Sequence, residues 1–419
     1  MLAELFLAAA LAAGTAPAGA ASVGATPVLA AMPPPAGPFD PAPARVALGR
    51  RIFFDARLSE PAGTSCASCH DPARAFSGNH GSRLGVPLGS RPDLVGVRNT
   101  PSALYAAYIP RLFFYQDDDG LAPIPFGGLF ADGRVDSLRE LARQPLLDAR
   151  EMHNRSPAQV LRKLRGAPYA TALRREFGAR ALDDEAAAFA ALGAAMEAFL
   201  QSREMAPFSS RYDAWVQGKA TLDAQELRGL KLFKDPDKGN CASCHKFNET
   251  SSNPARSLFT DFGFDAIAAP RNRAIPANRD PRRFDTGLCA TAADRGWPER
   301  TAWCGYFRTP SLRNVAVRQA WMHNGVFSSL RDAVAFYATR GIEPDRWYPK
   351  GRPYDDVPAQ YQRNINAATP PYNRRKGMAP ALDEAEIDAI VAFLRTLTDA
   401  PWAERGTGRG NAQRTRGEQ

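Results

Sequence analysis

The sequence predicts an all-α, mainly helical protein built from two similar halves related by an internal duplication. Three observations predict this. First, short segments far apart in the chain echo one another in the same order. LGRRIFFD (Leu48 to Asp55) pairs with RGLKLFKD (Arg228 to Asp235), and CASCH at Cys66 recurs at Cys241. RNTPSAL from Arg98 pairs with FRTPSLRN from Phe307, and DGRVDSL from Asp132 with NGVFSSL from Asn324. Second, apolar residues recur at helical spacing in the longer intervening stretches. Third, strand signals are few and short.

The elements follow in chain order. Residues 1–20 form an apolar stretch of signal-peptide length ending in an Ala-x-Ala site at Ala20, with Glu4 in place of the usual basic residue. Residues 21–42 read as a Pro/Ala-rich linker. The first half, 43–205, opens on the helix that leads into CASCH. It closes on the Ala-rich helix from Leu182 to Ser202, where Phe189, Leu192, Met196 and Phe199 share a stripe and Met196 belongs to the core. The second half, 206–400, begins with TLDAQELRGLKLF, in which Thr221 or Asp223 caps a helix. Its last helix carries Asp383 and Glu386 at capping-box spacing and buries Ile387, Ile390, Val391 and Leu394. After Pro401 the chain turns to Gly, Arg and Gln, and 401–419 is expected to be a disordered tail. The leader predicts export to the periplasm, and no later run is long and apolar enough to span a bilayer.

CASCH carries the chemistry. C-x-x-C-H is the attachment signature of c-type haem: two thiols reach the porphyrin vinyl groups, and the histidine binds the iron from one face. One copy is compatible with a redox dithiol or half a zinc site. Two identical copies far apart are not, because zinc needs a compact ligand cluster. The reading is two covalently bound c-type haems, on Cys66, Cys69 and His70 and on Cys241, Cys244 and His245. Each half is then a cytochrome c-like domain. The net charge of +9 comes from scattered arginines without a dense lysine run. That pattern, with haem propionates to offset it, argues against a nucleic-acid partner. The two remaining cysteines of the six, Cys289 and Cys304, are expected to form a disulfide in an oxidising compartment.

Each iron has a second axial position, and what fills it separates a carrier from an enzyme. The candidates are His80, His153, His323, Met152, Met322, Met378 and a tyrosine. The residues alone do not choose among them.

The stretch from about residue 40 to about 400 resembles the bacterial dihaem cytochrome c peroxidases and MauG-like enzymes. The resemblance rests on LGRRIFFDARLS, TSCASCH, RNTPSAL, LFADGRVDSL, QPLLDAREM, GLKLFKD, the second CASCH, FRTPSLRNVAV, WMHNGVFSSLRDAVAFY and AEIDAIVAFLRTLT, in family order. It implies that the first haem reacts with hydrogen peroxide and the second relays or stores an oxidising equivalent. It places the family's catalytic carboxylate at Glu151 and the second haem's distal ligand at Tyr337, fourteen residues past His323, with Met322 as the competing ligand. It also implies a calcium ion at the Asn99 side chain and the backbone oxygens of Arg318 and Ala320.

Two positions depart from the family pattern. Ala131 stands where a tryptophan precedes DGR, and Leu141 stands where a glutamine follows. An indole can carry a hole between haems and a methyl group cannot; Phe130 and Trp321 are the nearby aromatics. Three functions follow, in order of weight. The first is peroxide reduction with electrons from a small periplasmic donor, a cytochrome or a copper protein. The second is MauG-like oxidation of Trp or Tyr side chains on a protein substrate. The third is non-catalytic electron carriage.

Overall fold

The computed structural model describes residues 28–29, 39–115, 124–251, 253–254, 257–297 and 299–406. The leader, most of the linker and the chain beyond 406 lie outside them.

Two helix crossings organise the molecule. Pro43 pre-sets φ at the start of the Pro43–Phe53 helix. This helix packs against Glu185–Leu200, which is capped by Asp184. At the contact, a Cβ on Gly49 would lie 2.0 Å from Ala195 O and 2.7 Å from Phe199 Cβ. In the second crossing, Ala224–Lys234 packs on Glu384–Arg395. A Cβ on Gly229 would lie 1.9 Å from Ala389 O and 2.9 Å from Phe393 Cβ. Only glycine lets the backbones approach this closely. Asp223 and Asp383 cap the two second-half helices through capping boxes with Glu226 and Glu386. Each such cap stabilises by about 1 kcal/mol.

The crossings bring matching aromatics together. Phe53 and Phe199 meet at 5.3 Å and 59°, and Phe233 and Phe393 at 5.3 Å and 61°. Burying a phenylalanine contributes roughly 1.5–3 kcal/mol. The first apolar core draws on residues from Leu48 to Met205 and recruits Leu258, Val317 and Trp402; the second draws on Tyr212 to Leu397. Leu192, Met196 and Phe199 are buried as expected, as are Ile387, Ile390, Val391 and Leu394. Phe189 is half-buried beneath Arg143.

Fully buried Asp399 ties the cores together. Tyr105 Oη and Asn314 Nδ2 each donate to its Oδ2 at 2.6 Å, and Ser209 N donates to Oδ1 at 2.7 Å.

The expected fraying after Pro401 does not hold for 401–406. Ala400–Trp402 forms a helical turn, followed by Ala403–Gly406. Trp402 is buried edge-on against Phe76 and donates from Nε1 to Pro72 O at 2.7 Å. The apolar contact and the satisfied indole N–H hold this end against the first half.

The strands are short. Val28–Leu29, Phe113–Tyr115 and Ile124–Phe126 form one small sheet, in that order, and Phe264–Asp265 pairs antiparallel with Phe307–Arg308. A third core joins Leu112 and Phe114 to Leu288, Ala292 and Trp297. In this way the segment holding Cys289 and Cys304 folds back on the first half. The two cysteines are joined, with Cα atoms 4.4 Å apart.

Candidate active site

Cys66–Cys69 form one helical turn, opened by reciprocal hydrogen bonding of Ser65 and Ser68. His70 follows as its C-cap. His70 Nδ1 lies 3.1 Å from Phe76 O. A carbonyl oxygen only accepts, so Nδ1 carries the proton and Nε2 keeps its lone pair. The second motif repeats the device: Cys241–Ser243 form a tight turn and His245 Nδ1 lies 2.9 Å from Phe259 O. Burial lowers the pKa of both histidines, to about 4 for His245. Burial pushes the thiols of Cys66, Cys69 and Cys241 up to about 12 and that of Cys244 to about 11.

Both motifs open on one cavity of about 770 Å³. Its wall is mostly apolar, and each motif contributes two thiols and an imidazole lone pair to its lining. This donor set fits a covalently held haem at each motif. Among the described residues no group of three or more His, Cys, Asp or Glu side chains is placed to hold a metal ion, which leaves a zinc cluster without ligands.

Glu151 and Met152 line the cavity beside the first motif. The Glu151 carboxyl is pushed up to about 7, first by burial, then by the neighbouring Asp148 charge, against an opposing pull from Arg134. The Glu151 charge is felt in turn at Cys66 and Cys69. Tyr337 holds the corresponding place at the second motif. Its phenol pKa is raised by burial, then by Cys241 and Cys244. Tyr337 projects from the Leu330–Thr339 helix, which is capped by Ser329. Met322 and His323 also line the cavity. His323 stacks on Phe307 at 3.6 Å and 11°, and its buried Nε2 has no partner. Of the other candidates, His80 bonds to Leu88 O through Nδ1, His153 to Ala149 O through Nδ1, and Met378 is exposed. None of these three lines the cavity.

The loop opposite each motif is built alike. Leu129 bridges to Val135, and Trp321 to Phe327. The next residue has positive φ in both, Phe130 at 64° and Met322 at 69°. Ala131 therefore stands where the other half has His323. Arg98 braces this region: it donates to Asp132 Oδ2 at 2.6 Å and holds Asp285 in a two-point pair. Asn99 Nδ2 donates to Ala320 O at 2.8 Å and to Met322 O at 3.2 Å.

Residues 43–221 match the family described as di-haem cytochrome c peroxidase. The methylamine utilization protein MauG of Paracoccus denitrificans is 37% identical over 371 residues, covering 85% of this chain and 89% of that protein. The chain belongs to the dihaem cytochrome c peroxidase and MauG family. The cytochrome c551 peroxidase of Pseudomonas aeruginosa is 28% identical over 69% of this chain and 70% of its own. A crystal structure of the diheme peroxidase BthA from Burkholderia thailandensis matches with a TM-score of 0.87 and 56% identity, covering 90% of this chain and 92% of that one. The protein is accordingly a peroxidase-like oxidoreductase of a dihaem family.

Some residues of this dihaem peroxidase site carry no sequence signal. Tyr372 lies in the cavity wall with its ring 5.7 Å from that of Tyr337, beneath the Arg340 guanidinium. It sits in a Pro-rich loop outside every recognised motif. Asp285 lies four residues before Cys289, and only the fold brings it to Arg98.

Proposed function

We propose that the chain reduces hydrogen peroxide at the haem on Cys66, Cys69 and His70, within residues 43–205. Electrons enter from a small periplasmic redox protein through the haem on Cys241, Cys244 and His245, within residues 206–400. The observation that carries this reading is Glu151, a carboxyl with pKa near neutrality on the cavity wall of the first motif. When bound, the haems supply the redox chemistry: two electrons and two protons turn one peroxide into two waters. The chain supplies the proton handling. Glu151 takes a proton from the incoming peroxide and returns it to the departing oxygen, a role that needs a pKa close to the working pH. Arg134, paired with Asp132, stabilises the ionised form of Glu151 and keeps it available as a base. The apolar cavity wall limits competing water. Tyr337 would be, with His245, a residue that holds the second iron. The joined Cys289 and Cys304 support an oxidising compartment such as the periplasm. A calcium ion at Asn99 would need its amide oxygen, rather than its N–H group, turned towards Ala320 O.

The test is peroxide consumption by the dihaem protein with a reduced small cytochrome or blue-copper protein as donor. Two donors oxidised per peroxide supports the reading, and peroxide loss independent of the donor rejects it. The second reading, oxidation of Trp or Tyr side chains on a partner protein, is favoured by Tyr337. A phenolate ligand stabilises ferric iron and makes the second haem a poor entry port for electrons from a donor of modest potential. Covalent change in a partner protein, read by mass spectrometry, would establish it.

A further inference from the structure

Two arginines at the junction of the halves have no carboxylate to face. Arg308, from the Phe307–Arg308 strand, and Arg318 both belong to the second half and both line the cavity. Arg308 reaches across to the first half and donates from Nε to Phe130 O at 3.2 Å. Arg318 also crosses, donating from one terminal nitrogen to Thr100 O at 3.1 Å. Its Nε is buried with no partner.

Among the described residues, three other arginines turned into the interior meet carboxylates, while Arg340 meets only carbonyls. Arg313 grips Asp213 at 2.8 and 2.9 Å, Arg271 meets Asp356 at 2.9 Å, and Arg98 holds Asp132 and Asp285. Arg340 directs its fork to the carbonyls of Ile267 and Asn366. The acid beside Arg308 is Asp132, whose oxygens are already taken by Arg98 and Arg134. Among the described residues neither Arg308 nor Arg318 forms an ion pair. Burial holds both guanidinium groups down to about 10, so both remain charged at neutral pH. Both side chains are half-buried in a mostly apolar wall; a cation held there without a counter-ion is costly, and a planar guanidinium fork matches a carboxylate in two-point geometry.

We propose that Arg308 and Arg318 bind the propionate carboxylates of the haems, so that the second half helps to hold the haem of the first. This rests on the dihaem reading above. Arg318 is assigned to the haem of the first motif, because its terminal nitrogen already reaches the first half at Thr100 O, 3.1 Å away. Two haems bring four carboxylates to a chain of net charge +9, and these two arginines are cations of the cavity wall still without an acid. The shared chemistry is a carboxylate, and a small solute anion is the other source.

The experiment uses the holoprotein carrying haem isotopically labelled at the propionate carboxyls. Reduced-minus-oxidised infrared spectra are recorded for the parent chain and for Arg308→Met, Arg318→Met and the corresponding Lys variants. The alkaline pyridine spectrum first counts haems per chain, and a count below two in the parent chain overturns the dihaem reading itself. With two haems present, the label-sensitive carboxylate bands should shift in each Met variant and shift less in each Lys variant, which keeps the charge. The midpoint potential of the first haem should fall in Arg318→Met, because a positive charge that disfavours ferric iron is lost. Should a Met variant fail to fold, the Lys variant carries the test alone. Label-sensitive bands that stay in place in the folded variants overturn the proposal, and a response to added acetate in their stead assigns the arginines to a solute anion.

Discussion

Around His70 and His245 the same contacts recur. Phe53 sits 6.2 Å from the first imidazole at 47°, and Phe233 sits 6.5 Å from the second at 48°. Ser102 Oγ donates to Ala75 O, and Ser311 Oγ to Leu258 O, both at 2.6 Å. Pro101 and Pro310 supply a second carbonyl near each ring. Across the cavity the halves part. The first offers Glu151 and Ala131; the second offers Tyr337, His323 and Tyr372. Holding an imidazole in one tautomer is the same problem in both halves and has the same solution. On the far side one half presents a carboxyl raised towards neutrality and the other a buried phenol.

The largest effect should come from removing one attachment site. Cys66→Ala with Cys69→Ala should leave one haem per chain by the alkaline pyridine spectrum and abolish the reaction with peroxide. The same change at Cys241 and Cys244 should also leave one haem, yet keep rapid peroxide binding at the first. Equal losses of peroxide binding would break the division of labour. Glu151→Gln comes next. General acid–base groups contribute roughly 10²–10⁴-fold, and stopped-flow rates with peroxide should fall by that order with haem content unchanged. The sign with pH follows from the raised carboxyl: with a pKa of about 7, the ionised fraction of Glu151 grows as pH rises through neutrality. The parent rate should therefore rise between about pH 6 and about pH 8, and Glu151→Gln should lose that rise.

Tyr337→Met sharpens the comparison from the other half. An anionic oxygen favours ferric iron, and a thioether favours ferrous. The potential of the second haem should rise, with the peroxide rate of the first little changed. Near-infrared magnetic circular dichroism of the resting parent protein checks the assignment. A methionine-to-iron band lost on replacing Met322 and kept on replacing Tyr337 would give the ligand to Met322.

Much of the attachment side was legible because it is local. CASCH, the glycines and phenylalanines of the helices before it, and the TPS turns after it lie within short windows with fixed spacing. The capping box at Asp383 was legible for the same reason, whereas at the other helix the choice between Thr221 and Asp223 fell to the structure, which caps it with Asp223. Glu151 and Tyr337 were placed by resemblance, since neither has a local pattern that marks it. Tyr372 and Asp285 escaped altogether, and Arg308 and Arg318 were noted only as part of a motif and as a backbone oxygen, never for their side chains. Each reaches the cavity from a loop or short strand whose position depends on packing between distant segments. Trp402 shows the same limit. Its surroundings read as a polar tail, and only contact with Phe76 and Pro72, more than three hundred residues earlier, makes it structural.

The smallest effect tests whether the halves are equivalent below the haem sites. Alanine at Gly49 would place its methyl 2.0 Å from Ala195 O, and alanine at Gly229 would place it 1.9 Å from Ala389 O. Neither distance is tolerable, so the paired helices must separate. Overpacking of this kind destabilises by about 1–3 kcal/mol, partly offset by the roughly 1 kcal/mol preference of helices for alanine over glycine. Both variants should therefore show lower midpoints in denaturant unfolding of the dihaem protein. Separation at Gly49 also loosens Phe53 against His70, and separation at Gly229 loosens Phe233 against His245. Each variant should thus broaden the electron paramagnetic resonance signal of its own haem and leave the other sharp. If Gly49→Ala were neutral while Gly229→Ala destabilised, the two crossings would be alike in shape and unlike in energy, and the equivalence of the halves would end at the backbone.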